Sequence, residues 1–283
     1  MEPCDGVICR IGGRRNSCRI HRIVVELARN ARGGIAGTVV DLAAQYAQFV
    51  AWMSLDIDDQ AAALAWYDRA HDWAWEIGDV NIATTTLSMK AHQAWSAGNA
   101  RRTIRLAEAA RLHAGRVTPG VRGMATQMAA RGHALAGEAC PARTLLDETE
   151  ALIRRAAEHA DGEPAWMYFY DETWFRLQRG MTELQLSNWP KATDLLTAGL
   201  ASLPTSYRRD RAWYGSCLVR AYAEAGDART ALDVGLPIVD DAVKLNRHAH
   251  KELVDVRTLL RSRRSAHVET VAEALTTARR STA

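Results

Sequence analysis

The chain is poor in the residues that staple or break small folds. Its five cysteines (Cys4, Cys9, Cys18, Cys140, Cys217) are an odd, scattered set that fits reduced thiols and not a disulfide framework. Cys4, Cys9, Cys18 and His21 are zinc-type residues, but their spacing matches no strong ligand pattern, so no metal is expected. There are seven prolines and three phenylalanines in 283 residues, against nine tryptophans. No run of about 18 apolar residues could span a bilayer, and the start lacks a charged, apolar, small-residue leader pattern. A cytoplasmic protein without membrane contact is therefore expected. Alternation of strand type is absent. Gly12-Gly13 leads to no Lys-Ser/Thr pair, and neither HExxH nor a nucleophile-elbow pattern occurs, so no cofactor is expected and no catalytic signature stands out. A net charge of +3 is too mild to demand nucleic acid as a partner.

What the chain does have is a repeat. In Ser96-Ala97-Gly98-Asn99-Ala100-Arg101, a glycine that reaches positive φ cheaply precedes an asparagine that can accept from free N–H groups, giving helix, tight turn, helix. The pattern recurs at Asp58-Asp59, Gly137-Glu138, Ser187-Asn188 and Gly226-Asp227, in steps of 40, 39, 50 and 39 residues. Five residues after each turn stands a small residue: Ala63, Thr103, Ala142, Ala192 or Ala231. Twelve after it stands Ala70, Ala110, Thr149, Gly199 or Ile238. A fixed period of this kind marks an α-solenoid, in which each helical hairpin buries its apolar face against its neighbours.

Five pairs of helices follow: 38–57 with 60–77, 80–97 with 100–116, 121–136 with 140–159, 166–186 with 190–203, and 207–225 with 228–243, the last kinked at Pro237. Segments 249–264 and 268–280 read as a hairpin capping the stack from about residue 246. Residues 1–37 differ, with seven arginines against three acids and paired glycines at 12–13 and 33–34. They read as a loose basic arm with one short helix near 20–29, separate from a single domain over 38–283.

The repeats resemble the tetratricopeptide superfamily, most clearly in Gly226-Asp227-Ala228-Arg229-Thr230-Ala231 with Leu218 and Tyr222 before it. The fourth copy keeps Gly180, Ala192 and Pro204, whereas Thr103 and Thr149 replace alanine and the steps exceed the family's period of about 34. Ala74-Trp75-Glu76-Ile77-Gly78-Asp79, Ala165-Trp166-Met167-Tyr168-Phe169 and Arg208-Arg209-Asp210-Arg211 are similar to pieces of the C-terminal sensor regions of actinobacterial helix-turn-helix (Xre-type) transcriptional regulators. Those regulators carry a DNA-binding domain ahead of the repeats, and residues 1–37 are too short and glycine-interrupted to hold one. Direct DNA binding is not expected without a further domain.

The tetratricopeptide resemblance implies a concave groove lined by the first helix of each pair. Carried over by position, the rule selects Gln45, Gln48 and Trp52, then Ser88, His92 and Trp95, then Gln127 and Arg131, then Trp174 and Met181, and finally Trp213, Ser216 and Arg220. Read as one helix, the run 166–175 would add Tyr168 and Asp171 to a face shared with Trp174 and Phe175. The candidate ligand-binding set is Gln48, Trp52, His92, Trp95, Arg131, Tyr168, Asp171, Trp174, Trp213 and Arg220, with packed indoles and internal ion pairs as the plainer alternative: Glu183 or Asp171 for Arg131 and Arg220, Arg208 or Arg211 for Asp171. Large apolar faces with a few donors suit a peptide, a small metabolite or a protein segment. The expected function is a regulatory sensor, with homodimer formation left open. The alternatives are a repeat scaffold recruited as an enzyme on a small natural-product-type substrate, using His92, Asp171 and Arg131, or a regulator fragment whose start lies upstream.

Overall fold

The structure is a computed structural model that describes residues 16–113, 115–263 and 267–280, with the backbone alone at 16–21, 268 and 279. Every regular element among the described residues is helical. The chain divides into two compact units, Met1–Tyr168 and Phe169–Ala283.

The first unit contains α1 (Asn16–Asn30), α2 (Ala36–Asp56), α3 (Gln60–Ile77), α4 (Val80–Ser96), α5 (Ala100–Arg111), α6 (Pro119–Leu135) and α7 (Ala139–Glu158). The second contains α8 (Glu172–Gln185), α9 (Trp189–Ser202), α10 (Arg208–Glu224), α11 (Ala228–Gly235), α12 (Val239–Leu245), α13 (Arg247–Ser262) and α14 (Val268–Arg280).

One turn geometry recurs at six of the junctions between these helices. One or two residues past the helix end the chain is left-handed, with φ of 65° at Asp58, 75° at Gly78, 72° at Gly98, 79° at Gly137, 59° at Ser187 and 89° at Gly226. The next residue, Asp59, Asp79, Asn99, Glu138, Asn188 or Asp227, donates its N–H to the carbonyl five residues back, in every case at 2.9 Å. This is the Schellman bond, which satisfies a helix-end carbonyl. The same residue opens the next helix. Asp59, Asp79, Asn99 and Asp227 accept from the N–H three residues on, at 3.0–3.1 Å. Glu138 and Asn188 turn back instead, Glu138 to His133 at 2.5 Å and Asn188 to Glu183 at 2.9 Å.

Small residues let the helices close up. Ala63, Thr103, Ala142, Ala192 and Ala231 are at most 1% exposed. A Cβ on Gly132 of α6 would lie 2.8 Å from the Ile104 side chain of α5 and 3.0 Å from its backbone N. Glycines 180 and 199 play the same part between α8 and α9, against Leu196 and Leu177. The core of the first unit gathers Ala47, Val50, Ala63, Trp66, Tyr67 and Ala70. That of the second gathers Ala212, Val219, Ala249, Leu253, Val256 and Leu260. Burial pushes the Tyr67 phenol well above its ordinary pKa, so it stays neutral.

Several sequence expectations need correction. Residues 16–30 form one helix whose Val25 and Ala28 are buried, so this part of the presumed loose arm is docked on the unit. The expected helix 166–186 is broken: Ala165–Met167 is a 3₁₀ turn, and Asp171 is extended at φ −113°, ψ −179°. Asp171 accepts from the Trp174 N–H at 2.7 Å, and a residue used as an N-cap cannot also sit on the helix face. At Pro237, which has no N–H to donate, the expected kink takes the form of a 3₁₀ turn at Leu236–Ile238 between α11 and α12. Glu163, in the break at 161–164, reaches back to the start of α6, accepting from Thr118 Oγ1 at 2.5 Å and from the Gly120 N–H at 2.8 Å.

Candidate functional site

In the first unit three of the selected residues meet. His92 and Trp95 lie three apart on α4, so their rings share a face, stacked at 5.8 Å with 22° between planes. Arg131 comes from α6, its guanidinium carbon 3.6 Å from the centre of the Trp95 ring. Its Nη1 stands 3.2 Å from His92 Nδ1. A guanidinium can only donate, so His92 Nδ1 accepts and the ring carries its proton on Nε2. Arg131 is 4% exposed. A cation so far from water needs replacement for its hydration, and an aromatic face at this distance supplies roughly 1–2 kcal/mol of it. His92 and Trp95 are half-buried.

The neighbours selected by the same rule are spent inward. Ser88 and Gln127 are fully buried, and the Ser88 hydroxyl donates to the Thr84 carbonyl at 3.0 Å. On α2, Gln48 and Trp52 are half-buried. Trp52 lies 6.1 Å from Phe49, which is 57% exposed and which the sequence rule passed over. The signal for Phe49 was its seven-residue spacing from Leu42, on the side of α2 away from Val40, Ala44, Ala47 and Ala51. Tyr168 is 81% exposed beyond the 3₁₀ turn and shares no helix face with Trp174.

In the second unit, Trp174 packs on Tyr170 and Phe169 at 4.9 and 5.5 Å. Trp213 meets His248 edge-on at 6.3 Å. Arg220 pairs with Glu252 at 3.0 Å and Glu224 at 3.9 Å, not with Glu183 or Asp171. The expected partners of Asp171 are likewise engaged elsewhere: Arg208 with Asp241, and Arg211 with the Leu200 and Leu203 carbonyls, each at 2.8 Å. Of the enzyme trio, Asp171 caps α8 through one carboxylate oxygen, and His92 Nδ1 stands beside Arg131.

A second aromatic group lies on α3. The Trp75 indole N–H donates to His71 Nε2 at 3.0 Å, and the His113 ring stands 5.5 Å from Trp75. Burial first, then Lys90, holds the His71 pKa below its ordinary value, with Asp72 and Asp68 opposing and His113 adding slightly. Lys90 is itself tied to Asp68 at 2.5 Å.

Among the described residues, no cluster of three or more His, Cys, Asp and Glu is placed to hold a metal. The side chains of Cys4, Cys9, Cys18 and His21 lie outside the described residues. No described helix is long and apolar enough to cross a membrane. Comparison of the chain with protein-family models, with curated proteins and with solved structures gives no match.

Proposed function

We propose that the helical hairpins stack as a degenerate tetratricopeptide-like array, and that the first unit is a regulatory sensor for a peptide or small metabolite bearing a carboxylate beside an apolar group. Support for the array comes from the turn geometry repeated at Asp58, Gly98, Gly137, Ser187 and Gly226 and the small buried residue five positions after each. The observation that carries the binding reading is the His92, Trp95 and Arg131 cluster. A buried guanidinium lies against a half-buried indole, so a cation and an apolar surface stand together. A carboxylate docking beside the indole gains from the nearby cation, and its apolar part covers Trp95 and Trp52. Ligand binding would favour one arrangement of the flexible repeats and so alter a contact with a partner.

Affinity selection on the full chain tests this reading, using two random peptide libraries, one with free C-terminal carboxylates and one amidated. Peptides are retained from the free-acid library, and Arg131→Met reduces their affinity at least about tenfold with the circular dichroism spectrum unchanged. Equal retention from both libraries, or affinity indifferent to Arg131→Met, refutes it.

A further inference from the structure

Five of the large apolar side chains left exposed among the described residues fall within residues 23–49. They are Ile23 at 43%, Leu27 at 55%, Ile35 at 68%, Leu42 at 60% and Phe49 at 57% exposure. Their spacing is ordered. Ile35, Leu42 and Phe49 recur every seven residues, which holds them in one row along α2 and the turn that opens it. The opposite side of α2 is occupied by Val40, Ala44, Ala47 and Ala51, all buried. Ile23 and Leu27 are four apart on α1, on the side away from Val25 and Ala28, which are buried. α2 is therefore apolar nearly all round with only one side used inside the unit, whereas α1 carries the exposed Arg22, Glu26 and Arg29 between its buried side and Ile23. A helix that is apolar all round is normally buried all round.

Five side chains of this size at about half exposure leave roughly 500 Å² of apolar surface per chain, shared between the α1 pair and the α2 row and comparable in total with patches that mark interaction sites. A standard interface buries about 800 Å² on each partner, with about two thirds of it apolar in homodimers. The exposed rows supply that apolar share. Charge fits as well. Arg22 and Glu26 are exposed on α1, four apart, flanking Ile23 and Leu27. Two copies of α1 running antiparallel about a two-fold axis bring Arg22 of each chain beside Glu26 of the other, so the contact is self-complementary.

We propose that this face joins two copies of the chain, α1 against α1 with the α2 row completing the contact. The inference stands apart from the ligand reading, since it uses none of His92, Trp95 or Arg131.

Sedimentation of the full chain from about 1 to 100 μM tests it. The chain is expected to be a dimer in this range. Leu27→Asp and Leu42→Asp, both at exposed positions, each weaken the dimer at least about tenfold with helical content unchanged. Arg22→Glu weakens it by about two- to fivefold, and combining Arg22→Glu with Glu26→Arg restores the original affinity. The charge swap alters two surface side chains that the fold does not need, so it reports even where an aspartate variant folds poorly. A chain that stays monomeric throughout overturns the proposal. So does a dimer indifferent to the substitutions, or an Arg22→Glu loss that the swap fails to repair. A monomer that dimerises only when residues 1–15 are removed also overturns it, by making the chain's own segment the occupant of the face.

Discussion

Replacing Gly98 by alanine isolates the repeated turn from every other contribution to stability. Gly98 has φ of 72°, and a Cβ built there meets nothing within 4 Å, so packing is unaffected. The left-handed conformation costs an L-residue about 1–2 kcal/mol. The less flexible unfolded chain of the alanine variant returns about 0.4–1 kcal/mol. The expected net loss is about 1 kcal/mol, or about 2–4 °C in Tm for a cooperative unit of this size. Ser187 provides the reverse experiment, since it holds φ of 59° with a side chain. Ser187→Gly relieves the strain and stabilises the second unit by about 0.5 kcal/mol. Asp58, at φ of 65°, should change little on going to glycine, because aspartate tolerates this region and its carboxylate accepts from Gln60 Nε2 at 3.1 Å. Differential scanning calorimetry is the suitable assay, since two units can melt separately. A neutral or stabilising Gly98→Ala would refute the turn assignment, and a destabilising Ser187→Gly would refute the strain argument.

Three further outcomes follow from close contacts. Gly132→Ala would gain about 1 kcal/mol in an ordinary helix interior, but its Cβ would meet Ile104 at 2.8 Å, so chemical denaturation should show a net loss of about 1–3 kcal/mol. Glu163→Ala removes the acceptor for Thr118 Oγ1 and the Gly120 N–H and should cost about 1–2 kcal/mol, read by the same assay and by faster amide exchange in the first turn of α6. The lowered pKa of His71 means that the unfolded chain takes up a proton near pH 6.5 before the folded chain does. Stability should thus fall as pH drops from about 6.5 and level off once the folded form is also protonated, and His71→Gln should flatten that slope in melts at several pH values.

The turns were legible because they depend on a residue or two. A left-handed residue followed by a cap is a local chemical choice, which is why bounds such as Gln60–Ile77 and Val268–Arg280 coincide with the sequence expectation. The run around Asp171 misled because its aromatic spacing suits a helix face, while the carboxylate is worth more as a cap for the Trp174 N–H. Pro237 signalled a disturbance but not its extent. The docking of α1 was hidden because its arginines dominate the composition, whereas Val25 and Ala28 decide its burial. For the candidate site, the positions of Trp95 and Arg131 came from the tetratricopeptide resemblance. Their stacking did not, because it depends on how closely α4 and α6 approach in three dimensions.

The central claim is that Trp95, with Arg131 beneath it, faces a ligand. Proton–nitrogen NMR of the nine indole groups, assigned by single Trp→Phe variants, reads this directly when free-acid peptides retained by the chain are titrated in. The account predicts that the Trp95 and Trp52 resonances move with a common saturation curve while that of Trp66, 1% exposed, stays fixed. Movement confined to indoles of the second unit, or a Trp95 resonance unmoved at saturation, would contradict it.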